Sequence, residues 1–188
     1  MARGHPDWGS IATTPGSELP TYIVQHGVYA GAGVNRWSPS LFNPAASGKV
    51  VKVRRVVTMV SCTGGVGTGD FRCRIWRTST LGTGGAITPE PLDPSDPPAV
   101  TLAAETLSVA PIYGNVVADY PVFFERNTTI DLARITDLSQ VVPLYQHPAA
   151  GQEKPIFMRP GQGLAIQFYP VFLDGHIYTM VFFTEEAG

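Results

Sequence analysis

Glycine and proline recur so often along this chain that long helices are disfavoured almost everywhere. The 188 residues include 20 Gly and 17 Pro, and both residue types interrupt helices and mark tight turns. Between these interruptions, Val, Thr, Tyr and Phe cluster in short bursts that are typical of strands. The sequence therefore predicts an all-β protein, a jelly-roll-like β-sandwich of about eight or nine short strands.

Two segments carry the clearest strand patterns. Lys49–Ser61 (KVVKVRRVVTMVS) is dense in β-branched residues. Its in–out alternation slips near Arg54–Arg55, which predicts either a β-bulge or a strand that changes sheets. Ile177–Thr184 has apolar residues at both odd and even positions. Both of its faces are therefore expected to be covered, as in a central strand or one that faces another subunit. Further strands are expected near Tyr22–Gln25, Val34–Trp37, Val100–Thr106, Tyr120–Glu125, Thr129–Ala133, Pro155–Met158 and Leu164–Tyr169.

A Gly-rich segment separates the first of these strands from the next one. GGVGTG at 64–69 is followed by Asp70–Arg77 (DFRCRIWR), which alternates apolar and polar residues. We interpret the two strands as a hairpin with a flexible tip. In that hairpin Cys62 would face Cys73, or Phe71 if the register is shifted by two residues. The two cysteines are expected to be either free thiols or a disulfide.

Two stretches lack any strand pattern. Residues 1–20 combine three Pro and three Gly, which predicts an extended N-terminal arm ahead of a single sandwich domain at 21–188. Trp8 and Ile11 are typical interface anchors, so we expect the arm to dock on a partner subunit, a solvated terminus being the alternative. The Pro- and Gly-rich segment 78–98 is predicted to be a long surface loop.

The strand Asp70–Arg77 carries the candidate binding residues of the domain itself. Its apolar positions are expected to face the core, which turns the alternate positions outward. Arg and Trp are the residue types most enriched where binding energy concentrates. We predict that this face binds a partner protein, a solvated sheet face being the alternative, and its residues are Arg72, Arg74 and Trp76.

Few residues of this chain are charged, which bears on its partners. Asp, Glu, Lys and Arg make up 15% of the residues, against about 25% in typical globular domains. Because surface charge keeps monomers apart, so low a share favours self-association. The net charge of −2 gives no field that attracts nucleic acid, and no apolar run is long enough to cross a membrane. The N-terminus lacks the apolar core of a signal peptide, so the protein is expected to be made in the cytoplasm and either to stay there or to leave by lysis.

No local motif marks a catalytic or cofactor site. The Gly-rich segment 64–69 lacks the Lys of a phosphate loop, and the four His residues lie far apart. Asp93 and Asp96 offer fewer ligands than a calcium shell requires, and nothing in its surroundings distinguishes Glu105. We therefore predict no catalytic residues, metal or cofactor. A glycan hydrolase, whose paired carboxylates come from distant strands, is the weakest alternative.

Several motifs occur in an order that resembles a known group of proteins. They are LFNPAASGKVVKVRRVVT at 41–58, the Gly-rich segment, LDPSDPPA at 92–99 and MRPGQGLAIQF at 158–168. This layout, over about residues 40–186, resembles small virion proteins of tailed bacteriophages, in which N-P-x-x-S-G-K leads into a first core strand and P-G-x-G-L opens a late one. Independently of the resemblance, Asn43-Pro44 with Ser47-Gly48 predicts a turn that starts a strand, and Pro160-Gly161 predicts a second turn ahead of Leu164.

The resemblance implies a virion protein that does not catalyse a reaction. It would be a capsid decoration (cement) protein or a tail-associated component, a homotrimer that binds the major capsid or tail protein. The alternative function is a carbohydrate-binding sandwich, as in a receptor-binding tail module, with exposed aromatic residues at a shallow site. Its candidate residues are Trp37, Trp76 and Tyr113.

Overall fold

The strands of this chain form two antiparallel sheets. The computed structural model describes residues 19–30, 36–62, 68–106, 124–131, 139–146, 156–170 and 175–188, and no helix occurs in these ranges. The strands are β1 Thr21–Ala30, β2 Arg36–Asn43, β3 Lys49–Cys62, β4 Thr68–Thr78, β5 Ala86–Ile87, β6 Glu90–Pro91, β7 Leu102–Thr106, β8 Phe124–Asp131, β9 Ser139–Gln146, β10 Ile156–Met158, β11 Gln162–Pro170 and β12 Gly175–Ala187.

Each sheet contains six strands. Sheet I has the order β10-β3-β12-β1-β6. Strand β9 pairs with the same edge of β3 as β10 does, but further along the strand, at residues 55–61, whereas β10 pairs at residues 51–53. Sheet II has the order β5-β7-β2-β11-β4-β8. Strands adjacent in sequence seldom pair, and every pairing among the described strands is antiparallel. The predicted all-β sandwich is thus confirmed.

The core lies between the two sheets and is formed by alternate residues of their strands. On β12, the odd positions from 177 to 183 are all buried, whereas the even positions are half-buried. In β1 the ring of Tyr22 stacks on that of Phe183 at a centroid distance of 5.4 Å. The buried apolar cluster comprises Tyr22, Val24, Val28, Leu41, Val51, Val53, Val56, Ile75, Ala103, Ile156, Met158, Leu164, Ile166, Phe168, Ile177, Val181 and Phe183.

The β-bulge predicted in β3 is confirmed. Phe182 of β12 pairs with Arg55, whereas Phe183 pairs with Val53, which leaves Arg54 without a partner in the register. One extra residue lets the strand carry two consecutive polar residues while Val53 and Val56 both face the core.

The hairpin predicted between β3 and β4 is wrong. β3 belongs to sheet I and β4 to sheet II, so the chain crosses between sheets after Cys62. Cys62 pairs with Gly175, whereas Cys73 pairs with Phe168 and Arg126, so the two cysteines are not cross-strand neighbours. Instead β3 pairs with β12 and β4 pairs with β11. Placing the two strands in different sheets lets each bury its apolar face in the core between them.

The two turn motifs of the resemblance lie side by side in the fold. Gly48 and Gly161 have positive φ angles of 60° and 81°, which only Gly adopts without strain. The fully buried Asn43 connects the turns, because its Nδ2 donates to the carbonyl oxygens of Lys49 and Met158 at 2.8 and 3.0 Å. The backbone carbonyl of Asn43 accepts from the Gly161 N–H. The predicted turns at both positions are therefore confirmed.

Other strand predictions need correction. The piece predicted at Val34–Trp37 lies in the described ranges only at its last two residues, which begin β2, and β2 continues to Asn43. Strand β9 was not predicted. β9 contains Pro143, which weakens a strand pattern but is tolerated beside the register shift opposite Val56 and Val57. β8 joins parts of two predicted strands. The predicted loop 78–98 is confirmed as mainly exposed, with only the two-residue strands β5 and β6.

Candidate functional site

The outer face of sheet I, which points away from sheet II, carries a group of apolar side chains. The register aligns Ile23, Phe182 and Arg55 in one row and Gln25, Met180 and Val57 in the next. We call the half-buried members of this group the outer apolar face; they are Ile23, Met59, Tyr178, Met180 and Phe182.

A glycine shapes one end of the outer apolar face. Gly27 lies opposite Tyr178 in the register, and a Cβ at Gly27 would stand 2.6 Å from Tyr178 Cε1. The tyrosine ring therefore occupies the space beside Gly27 that a side chain on β1 would need. The result is a low surface without a side chain projecting at that position, which suits contact with another flat sheet.

The predicted binding trio lies on β4 in sheet II. Ile75 is buried, as expected for the core face, and Trp76 is half-buried on the opposite face. The Trp76 indole N–H donates to Gln167 Oε1 at 2.8 Å, so the single hydrogen-bond donor of this side chain is used within the sheet. Arg72 and Arg74 lie on the backbone of the same strand; their side chains, and any binding by the trio, stay outside what the structure describes.

The remaining sequence candidates fall largely outside the described residues. Trp8, Ile11 and Tyr113 lie in undescribed ranges, and for Trp37 only the backbone of β2 is described. Docking of the arm and the aromatic carbohydrate site therefore stay predictions.

A serine, a histidine and a glutamate meet inside the sandwich, which the sequence analysis missed. His26 on β1 contacts Ser38 Oγ of β2 through Nδ1, and its Nε2 lies 3.1 Å from Glu105 Oε1 of β7. A register shift in β2 between Trp37 and Ser40 accompanies the inward position of Ser38, since a bulge re-aims side chains.

The hydrogen-bond roles in this cluster follow from the chemistry of its groups. A carboxylate only accepts, so Nε2–H of His26 donates to Glu105, and Nδ1 then accepts from the Ser38 hydroxyl. This is the connectivity of a nucleophilic triad. Ser38, however, is only 1% exposed, whereas the Glu105 side chain is 36% exposed. The carboxylate thus faces solvent and the hydroxyl is shielded, so the cluster joins the two sheets and offers no accessible nucleophile.

One sequence signal could have revealed this cluster. His26 occupies a core-facing position of β1, between Val24 and Val28, which are both buried. In the register it lies opposite Thr179, whose hydroxyl is 3.5 Å from that of Thr58. Polar residues at inward positions of a strand need partners. The three residues come from distant parts of the chain, so no local motif joins them.

A second group of polar contacts lies at the C-terminal end of β12. Glu185 is 7% exposed and accepts from the backbone N–H groups of Val100 and Thr101 and from the Thr101 hydroxyl, at 2.7 to 3.1 Å. Nearby, Tyr22 Oη donates to the Pro97 carbonyl at 3.0 Å. These contacts hold the 92–101 segment against sheet I.

Beside these contacts lies a pocket of about 320 Å³, which we call the end pocket. It opens where β1 begins and β12 ends, and Lys49 and Glu186 also contribute to its lining. Its apolar lining residues are Leu19, Pro20, Tyr22, Pro97, Pro98, Val100 and Ala187.

Asp93 and Asp96 serve a local turn. Asp93 Oδ1 accepts from the Ser95 N–H at 2.9 Å and the Ser95 hydroxyl at 2.7 Å, and these hydrogen bonds lower the pKa of Asp93. The Asp96 N–H donates to the Asp93 carbonyl. Within the described ranges, no group of three or more His, Cys, Asp or Glu side chains is placed to hold a metal ion.

Comparison with protein-family models and curated proteins identifies no relative of this chain: no family model matches it, and no curated protein matches it significantly. The described part of the chain contains no helix with the length and hydropathy that a bilayer crossing requires.

Proposed function

We propose that this protein is a structural protein of the bacteriophage virion, a capsid decoration protein that associates with copies of itself. The outer apolar face of sheet I carries the proposal. β12 presents buried residues to the core and Tyr178, Met180 and Phe182 to the other side. An apolar sheet face is stabilised when a second protein surface removes it from water, at about 25 cal/mol per Å².

A second copy of the chain is the occupant that fits this face. Sheet faces that are flat and apolar pack on one another about 10 Å apart, and closed symmetry allows identical faces to be covered in a small oligomer. Only 15% of the residues are charged, so the opposing repulsion is small. The virion role and the trimer are supported by the resemblance of the motifs at 41–58 and 158–168 to phage virion proteins.

Sedimentation velocity of the full chain tests the self-association. We expect a trimer at micromolar concentration, and we expect Met180→Glu to shift it to a folded monomer, because Met180 lies outside the core. The monomer should melt lower than the trimer only by the stabilisation that association provides. Leu102→Glu is the matched control, since Leu102 is exposed on the outer face of sheet II, and it should remain trimeric.

Two results would contradict the proposed self-association. One is a wild-type chain that sediments as a 20.2 kDa monomer throughout the micromolar range. The other is a folded Met180→Glu variant that assembles like the wild type. Co-sedimentation with purified phage shells tests the virion role separately, and failure of the folded trimer to bind them would contradict it.

A further inference from the structure

We propose that the end pocket receives Trp8 of the N-terminal arm from a neighbouring copy of the chain. The inference rests on the proposed self-association and adds a second contact to it, at the end of the sandwich. It is carried by the exposed apolar residues around the pocket, by its rigid walls and by its position relative to the arm.

Exposed apolar side chains are concentrated at this place. The large hydrophobic residues that are exposed in the described ranges are Leu19, Leu92, Val100 and Leu102. Leu19 and Val100 line the end pocket, and the Leu92 N–H donates to the carbonyl of Thr21, two residues after Leu19. Such a concentration of exposed apolar side chains marks a contact site.

The pocket walls are held in place before any partner arrives. Tyr22 Oη holds Pro97, and Glu185 holds the backbone of Val100 and Thr101. Proline rings add walls with little freedom to lose. Binding to a preformed pocket avoids the entropic cost of ordering it.

The size of the pocket selects the kind of group that enters. Its volume of about 320 Å³ lies at the lower end of the ~300–1,000 Å³ range of small-molecule sites. It suits one large side chain, and its proline and aliphatic lining suits an aromatic ring. Trp8 provides such a ring, with Ile11 three residues further along to cover the exposed rim.

The chain geometry favours the arm of a neighbour. Trp8 precedes Leu19 by 11 residues, and 11 extended residues reach ~36–40 Å, about the diameter of a domain of this size. Leu19 itself forms a wall of the pocket, so the arm of the same copy would have to reverse direction to return to it. A neighbour's arm enters without that reversal.

Photo-crosslinking of the full chain tests the inference. The photoreactive residue p-benzoylphenylalanine replaces Trp8, and ¹⁵N-labelled and unlabelled chains are mixed before irradiation. We expect crosslinks from position 8 to peptides that contain 97–100 or 185–187, and in mixed heavy–light pairs. Crosslinks found only within one chain, or only on the outer apolar face, would overturn the inference.

Affinity measurements separate the end pocket from the sheet contact. Trp8→Ala and Val100→Asn should each weaken self-association about 30-fold, as expected for a hot spot, and the double variant should be no weaker than either single one. Leu102→Asn is the control, as an exposed apolar residue that does not line the pocket. Unchanged association of the folded Trp8→Ala chain, with Met180→Glu still disruptive, overturns this inference alone. A monomeric wild type overturns both.

Discussion

Replacing Glu185 with alanine should show how strongly one buried carboxylate stabilises this fold. Glu185 accepts three hydrogen bonds from Val100 and Thr101, at 2.7 to 3.1 Å, and they join the end of β12 to the segment that enters β7. Hydrogen bonds to a charged group contribute about 1.5–3 kcal/mol each. In the alanine variant the Val100 N–H can donate to water, because that residue is exposed, and the Thr101 hydroxyl can rotate to another acceptor. The Thr101 N–H, however, would be left buried without an acceptor in the variant.

We therefore expect Glu185→Ala to lower the free energy of unfolding by about 3 kcal/mol. Glu185→Gln keeps the shape and one acceptor oxygen, and should cost about half as much. In a chain of this size each kcal/mol shifts the melting temperature by about 2–4 °C, so Glu185→Ala should melt about 6–12 °C lower.

The neighbouring Glu186 provides the matched control. Its half-exposed carboxylate pairs with Lys52 and, at 3.7 Å, with Arg54. Surface ion pairs contribute only about 0–1 kcal/mol, so Glu186→Ala should be nearly neutral. Equilibrium urea unfolding followed by tryptophan fluorescence measures both variants. Equal losses for the two substitutions would refute the assignment of Glu185 as a buried anchor.

Three further predictions concern the turns, the packing and the pH dependence. Asn43→Ala should cost about 2 kcal/mol in urea unfolding, because two buried carbonyl groups lose their donor. Gly163→Ala should destabilise more than Gly27→Ala in the same assay: its Cβ would meet a backbone carbonyl at 2.6 Å, whereas that of Gly27 meets only the ring of Tyr178, which can move. Burial, and then nearby carboxylates, raise the pKa of Tyr22 above 10.0. The neutral phenol is thus favoured in the fold, and its contribution to stability is complete below pH 10 and lost as the pH rises through the raised pKa. Tyr22→Phe should lose less stability than the wild type between pH 9 and 11, and parallel curves would contradict this.

Local features of the fold could be predicted from the sequence because they depend on neighbouring residues. The share of Gly and Pro and the bursts of β-branched residues predicted an all-β chain. The broken alternation at Arg54 predicted its bulge. The turns at Gly48 and Gly161 followed from Ser-Gly and Pro-Gly pairs, since only Gly adopts those φ angles freely.

The partners of the strands, and with them the candidate sites, were decided only by the tertiary structure. Alternation tells which face of a strand is buried but not which strand lies beside it, so β3 and β4 were wrongly joined in a hairpin. His26 reaches Ser38 and Glu105 only because β1 of sheet I faces β2 and β7 of sheet II across the core. Likewise, Glu185 meets residues about 85 positions away. Such contacts depend on how two sheets close over a shared core, and no short stretch of sequence contains that information.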